Sequence, residues 1–227
     1  MYIEGCRLMK KAKLILFLCF MAVLTACGNT NSSTEPTKKE ETSKEASKES
    51  AQKENKPTSG RLSKIGEWKK DKNGSTLTLK KINDKQKEID LSPIKMKIQD
   101  VKVFEYSNLG EDDKELLSDN QYEKDKYHRI QITYTTENTS DKDVLFSGVD
   151  VITTNTKKQI QVNTANLYTD KGVGSFYGKV ENEGMVVVPL LVDDVSDLSS
   201  ITLHLSDVYL NDEPELLHDG AKVKFDF

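Results

Sequence analysis

From Trp68 to Phe227 the chain alternates polar and apolar residues at a period of two. That is the pattern of strands with one face in a core and the other in water. Ser75-Thr76-Leu77-Thr78-Leu79-Lys80 shows it first, and Asn73-Gly74 just before it supplies residues that tolerate the positive φ of a tight turn. Trp68-Lys69-Lys70 and Thr76 to Ile82 therefore predict a hairpin. Ile94-Lys95-Met96-Lys97-Ile98 alternates strictly, and Val101-Lys102-Val103-Phe104 continues it. His128 to Tyr134 alternates again and is rich in β-branched residues. Val149-Asp150-Val151 and Gln159 to Val162 predict two strands around a turn at Asn155-Thr156-Lys157. Ile201 to Leu205 and Val223 to Phe227 close the series. Met185 to Val192 is more continuously apolar, which predicts a strand buried on both sides or bent at Pro189. Only Glu111 to Asp119 reads as a short helix. Seven to nine short strands with turns between them predict an all-β fold, an antiparallel β-sandwich.

The residues before Trp68 follow a different rule. Lys10-Lys11-Ala12-Lys13 is a basic flank, and Leu14 to Ala26 is an unbroken apolar run of thirteen residues. A spanning helix needs about 20, whereas this length suits the apolar region of a secretory signal peptide over residues 1–26. Met9-Lys10-Lys11 is a more typical signal opening than the residues from Met1, so translation from Met9 is an alternative start. Leu24-Thr25-Ala26-Cys27-Gly28 resembles a bacterial lipobox. The resemblance implies cleavage before Cys27 and a diacylglycerol thioether on its sulfur, with palmitate-type chains holding the protein to the membrane. Residues 27–60 are dominated by Lys, Glu, Ser, Thr, Asn and Gln. They lack the apolar surface that folding needs, and so predict a disordered tether. Its average reach is roughly 30 Å.

Charge follows the same division. The whole chain is −4, residues 1–26 are +3, and residues 27–60 hold six Lys and six Glu, which leaves −7 for the remainder. An acidic domain without a Lys/Arg cluster among aromatics is a poor match for nucleic acid. All three cysteines, Cys6, Cys19 and Cys27, lie in the first 27 residues. After processing only Cys27 would remain, so the domain has no disulfide, thiol nucleophile or cysteine metal site.

Glu137-Asn138-Thr139-Ser140-Asp141-Lys142-Asp143-Val144 follows a strand, and Gly184-Met185-Val186-Val187-Val188-Pro189 is a glycine-led strand ending in Val-Pro. With Ile94 to Phe104 before them, these segments resemble the immunoglobulin-like domains of Gram-positive lipoproteins, a group of unknown function sometimes called telomeric-repeat-binding-factor-like. The resemblance covers residues 92–227 and implies an immunoglobulin-like sandwich. Residues 61–91 fall outside it and read as an added N-terminal hairpin. The name carries no expectation of DNA binding.

Candidate chemistry is sparse. The histidines are His128, His204 and His218, the first two within predicted strands at surface or half-buried positions. No zinc-protease, nucleophile-elbow or phosphate-loop motif occurs. The acidic clusters Glu111-Asp112-Asp113, Asp193-Asp194 and Asp212-Glu213 lack the spacing of a calcium loop and read as solvated loops, with calcium binding left open. Tyr168, Phe176 and Tyr177 flank the flexible Lys171-Gly172-Val173-Gly174 and are the candidate ligand contacts, with core packing as the competing reading. The expectation is a lipid-anchored, extracellular, non-catalytic binding or accessory protein without cofactor or metal. Its partner would be an envelope protein or wall polymer, besides the membrane itself. The alternative is a cell-surface hydrolase using His128 or His204 with a carboxylate.

Overall fold

The computed structural model describes residues 57–213 and 215–227. The signal segment, Cys27 and the tether through residue 56 lie outside the described residues. The strands are β1 (Trp68–Lys70), β2 (Thr76–Asn83), β3 (Lys87–Leu91), β4 (Ile94–Ser107), β5 (Tyr127–Asn138), β6 (Val144–Phe146), β7 (Val149–Thr154), β8 (Gln159–Gln161), β9 (Gly174–Phe176), β10 (Val180–Leu190), β11 (Ser200–Leu205), β12 (Val208–Leu210), β13 (Leu216–His218) and β14 (Lys222–Asp226). Helix α1 (Glu111–Asp119) lies between β4 and β5, and α2 (Val162–Ala165) follows β8. Every pairing among the described strands is antiparallel, so the fold is all-β.

The largest sheet has six strands, with β4 and β5 at its centre and β1 and β10 at its edges. β5 pairs β4 along its length, while the other side of β4 is shared by β3 opposite Ile94–Ile98 and β2 opposite Val101–Ser107. Residues 61–91, outside the resemblance, thus contribute three strands to the same sheet. The hairpin between β1 and β2 forms as expected. Gly74 takes φ 91°, and the Asp71 carboxylate accepts the Asn73 and Ser75 amides at 2.9 Å each.

A bulge at Gln99 decides which face each residue of β4 serves. The register with β5 shifts between Ile98 and Asp100. Ile94, Met96 and Ile98 before the bulge, and Val101 and Val103 after it, all enter the main core. Phe104 and Tyr106 alternate to the opposite face and enter a second core with Leu62, Leu77, Leu79, Tyr127 and Leu117 of α1. The sheet is therefore covered on both sides in this half, and residues 100–104 are all buried.

Sheets β14-β11-β7-β8 and β13-β12-β6-β9 complete the fold, and both add residues to the main core. They are joined where the β6–β7 and β11–β12 connections turn side by side. Ser206 N donates to the Gly148 carbonyl at 2.8 Å, and its hydroxyl takes the Ser147 amide at 2.9 Å. Gly148 has φ 79° at this corner.

β10 differs from the sequence expectation. It is an edge strand whose residues alternate, with Val186, Val188 and Leu190 buried and Met185, Val187 and Pro189 between them half-buried. Pro189 is tolerated because an edge strand has one side without a ladder to satisfy. Gly184 is required by close approach. A Cβ there would enter the Tyr134 ring, and the Gly172 backbone lies against the same point.

Candidate functional site

His128 is the first candidate for acid–base chemistry, and the structure corrects its placement. It is fully buried rather than at the surface. Its Nδ1 lies 3.1 Å from the Val192 carbonyl, which fixes the neutral ring as the Nδ1–H tautomer. Nε2 is buried without a hydrogen-bond partner, 3.7 Å from Glu105 Oε2. Burial pushes the imidazole below its ordinary value near 6.5, against the opposing pull of the Val192 carbonyl and Glu105. The unfolded chain then takes up a proton near pH 6.5 and the folded chain only at lower pH. Between those points the unfolded state holds more protons, so stability rises with pH and is lost as pH falls below about 6.5. In His128→Gln the slope of unfolding free energy between pH 7.5 and 5 is expected to flatten, as read by denaturant titration. An unchanged slope would assign the dependence elsewhere.

His204 on β11 lies 3.1 Å from Thr153 Oγ1, and His218 lies 2.5 Å from the Asp219 carbonyl. Neither forms an ion pair with a carboxylate, and among the described residues no three His, Cys, Asp or Glu side chains converge as metal ligands.

Two buried charge groups escaped the sequence reading. The first corrects the view of Glu111-Asp112-Asp113 as a solvated cluster. Asp113 on α1 is 1% exposed and points into the second core. It accepts from Ser75 Oγ, from Tyr127 OH at 2.6 Å and from Arg129 Nη2, with which it forms an ion pair. The Arg129 guanidinium also lies 4.1 Å from the Tyr106 ring centre and 5.2 Å from that of Tyr127. The second group is Asp100 and Lys102, 3.3 Å apart and 3% and 2% exposed. Arg61 adds a second ion pair to the same Asp100 oxygen, and Asp100 Oδ1 has no partner. Burial pushes the Lys102 ammonium down to about 8, and the positive charges of Arg61 and Lys69 act in the same direction. The legible signal was the run of apolar residues of both parities from Val101 to Tyr106, which marks a strand covered on both faces and makes any charge within it costly.

The three aromatic candidates separate. Phe176 is 1% exposed and belongs to the main core, in line with the packing reading. Tyr168 and Tyr177 are 51% and 68% exposed. Tyr168 sits on a loop that caps the free edge of β10. Asn166 Oδ1 accepts the Val187 amide at 2.9 Å, Leu167 N donates to the Val187 carbonyl at 2.8 Å, and Asp170 Oδ1 accepts the Met185 and Gly172 amides. The Tyr134 hydroxyl donates to Asp170 Oδ2, and the Thr136 hydroxyl to the Gly172 carbonyl. Tyr168 then lines a cavity of about 470 Å³ with Arg61, Tyr134, Lys171, Glu183 and Met185. Tyr177 lies outside that lining, directly after β9.

A larger groove of about 750 Å³ runs past the end of α1, lined by Leu109, Leu117, Gln121, Tyr122 and Lys124 among others. Next to it Asp193 takes a hydrogen bond from Tyr122 and an ion pair from Lys124, so this carboxylate is already engaged. No described helix is long and apolar enough to cross a membrane.

No protein-family model matches the chain, and no curated protein matches it. A solved structure of a functionally unknown protein from Listeria monocytogenes EGD-e is similar to it at a TM-score of 0.42 and 13% identity, over 56% of this chain and 74% of that one.

Proposed function

We propose that the chain is a non-catalytic binding or accessory protein, anchored by lipid on Cys27 to the outer face of the cell membrane, with an immunoglobulin-like β-sandwich as its folded part. The sandwich reading is supported by antiparallel sheets that share one core. The observation that carries the binding reading is Tyr168, a half-exposed ring on a loop held by hydrogen bonds that Asn166, Asp170 and Gly172 accept. An aromatic side chain held in place offers contact area with little ordering cost on binding. The hydrolase alternative has less support. A histidine without solvent access, such as His128, reaches no external substrate. The partner is an envelope protein or wall polymer.

The test is photo-crosslinking from position 168 of the full chain in its own cells, followed by mass spectrometry, with and without Cys27→Ser. A discrete adduct in the membrane fraction is expected, absent when the crosslinker stands at exposed Lys157. Cys27→Ser should move the protein into the medium. An adduct no stronger than at Lys157 overturns the binding reading, and membrane retention of Cys27→Ser overturns the anchor.

A further inference from the structure

Sheet β13-β12-β6-β9 has one face in the main core, through Val144, Phe146, Phe176 and Val208. Its other face carries apolar side chains in register. Leu145 on β6 is paired with Tyr209 on β12, and Tyr209 with Leu216 on β13. Residues directly opposite in an antiparallel pair stand about 4.5–5.5 Å apart, so the three make one continuous row. Leu145, in the middle of β6, and Leu216, at the start of β13, are 37% and 47% exposed, so the row is an apolar patch open to solvent. The row ends at β13, an edge strand.

The segment that carries β12 and β13 has charge of one sign. Residues 207–220 contain Asp207, Asp212, Glu213, Glu215 and Asp219, and no Lys or Arg. Asp207 is held against the row by the Tyr209 hydroxyl at 3.0 Å and the Gly220 amide at 2.7 Å. Asp212 and Glu213 are exposed in the turn between β12 and β13, and Glu215 adjoins Leu216. Among the described residues none of the five carboxylates has an ion-pair partner. Across the sheet the pattern changes, since Asp141 beyond β5 is paired with Lys179 at 3.2 Å.

We infer that the Leu145–Tyr209–Leu216 row is a docking surface for a basic, extended protein segment that alternates apolar and cationic side chains. The apolar side chains would cover the row, and the cations would meet the unpaired carboxylates at its rim. The apolar part accounts for burial, and the charges account for choice of partner and orientation. An edge strand beside the row favours an extended segment over a helix. The inference rests on the binding reading above but uses a surface separate from the Tyr168 cavity.

The test is fluorescence anisotropy of the full chain with labelled synthetic peptides. An eight-residue Leu-Lys alternating peptide is expected to bind, with affinity that falls as salt rises. Its Leu-Glu counterpart and a Ser-Lys peptide are expected to bind at least tenfold more weakly. Leu145→Ser with Leu216→Ser should weaken the Leu-Lys peptide at least tenfold. Asp212→Asn with Glu213→Gln and Glu215→Gln should do the same, and these exposed positions let the charge contribution be read without disturbing the core. Tyr168→Ala should leave this affinity unchanged, so failure here is separate from failure of crosslinking at position 168. Equal binding of the Ser-Lys peptide, or undiminished binding by either variant, overturns the inference. Sedimentation showing a dimer that Leu216→Ser abolishes would also overturn it, by placing a second copy of the chain on the row.

Discussion

Asp113→Ala is expected to lower the free energy of unfolding by about 3–5 kcal/mol, the cost of breaking a buried ion pair from one side. The variant removes the shared acceptor of Ser75, Tyr127 and Arg129. Arg129, only 17% exposed, is then left cationic beside the rings of Tyr106 and Tyr127 without its counter-charge. The hydroxyl of Ser75 also takes the Gly110 amide at 2.8 Å, directly before α1. Loss of Asp113 therefore loosens the helix start as well as the sheet beneath it. Urea titration followed by circular dichroism measures the loss, and amide exchange should place the earliest opening in α1 and β2. Replacing both charges, as Asp113→Leu with Arg129→Met, should restore much of the stability, because well-packed apolar groups need no counter-charge. A loss below about 1 kcal/mol for Asp113→Ala would mean that water replaces the carboxylate, and the network would then be peripheral.

The contrast between Asp113 and its helix shows what sequence pattern conveys. The bounds of α1 were legible because Glu111 to Asp119 lacks alternation, yet three successive acids looked like solvent-facing loop residues. Only the third points inward, and its partners, Ser75 just before β2 and Tyr127 and Arg129 on β5, belong to other elements. Long alternating runs were equally legible and became β4, β5 and β11. Strands of three residues, such as β6, β9 and β12, are too short for a period to emerge. With the five-residue β3, which was not expected either, they bring the described strands to fourteen where seven to nine were expected. Alternation also puts Lys102 on the face away from the main core but does not show that the second core covers that face. His128 failed for a related reason. Its place in the alternation puts it on the face of Ile130 and Ile132, where the main core lies, and residue type argued the opposite. At the candidate site, Tyr168 and Tyr177 were legible as exposed aromatics, while Phe176 between them obeys strand parity and packs inward.

Lys102→Met is expected to cost about 3–5 kcal/mol on the same physical ground, with a different local outcome. Asp100, 3% exposed, would keep only Arg61 as counter-charge, and the Arg61 side chain is 62% exposed. An exposed partner is screened by water and held loosely, so it compensates a buried carboxylate poorly. Asp100 Oδ1 already lacks a partner, which leaves no second donor to take up the deficit. Asp100→Leu with Lys102→Met should recover most of the loss, and the double-mutant cycle gives the coupling directly. The double variant also frees Arg61, which lines the cavity beneath Tyr168. If Asp100 holds Arg61 in place for binding, the double variant is expected to fold stably yet crosslink less from position 168. If crosslinking is unchanged while stability recovers, Asp100 and Lys102 serve the sheet alone and Arg61 is not a positioning residue. Stability and crosslinking measured on one pair of variants thus separate a buried ion pair kept for the fold from one kept for the surface above it.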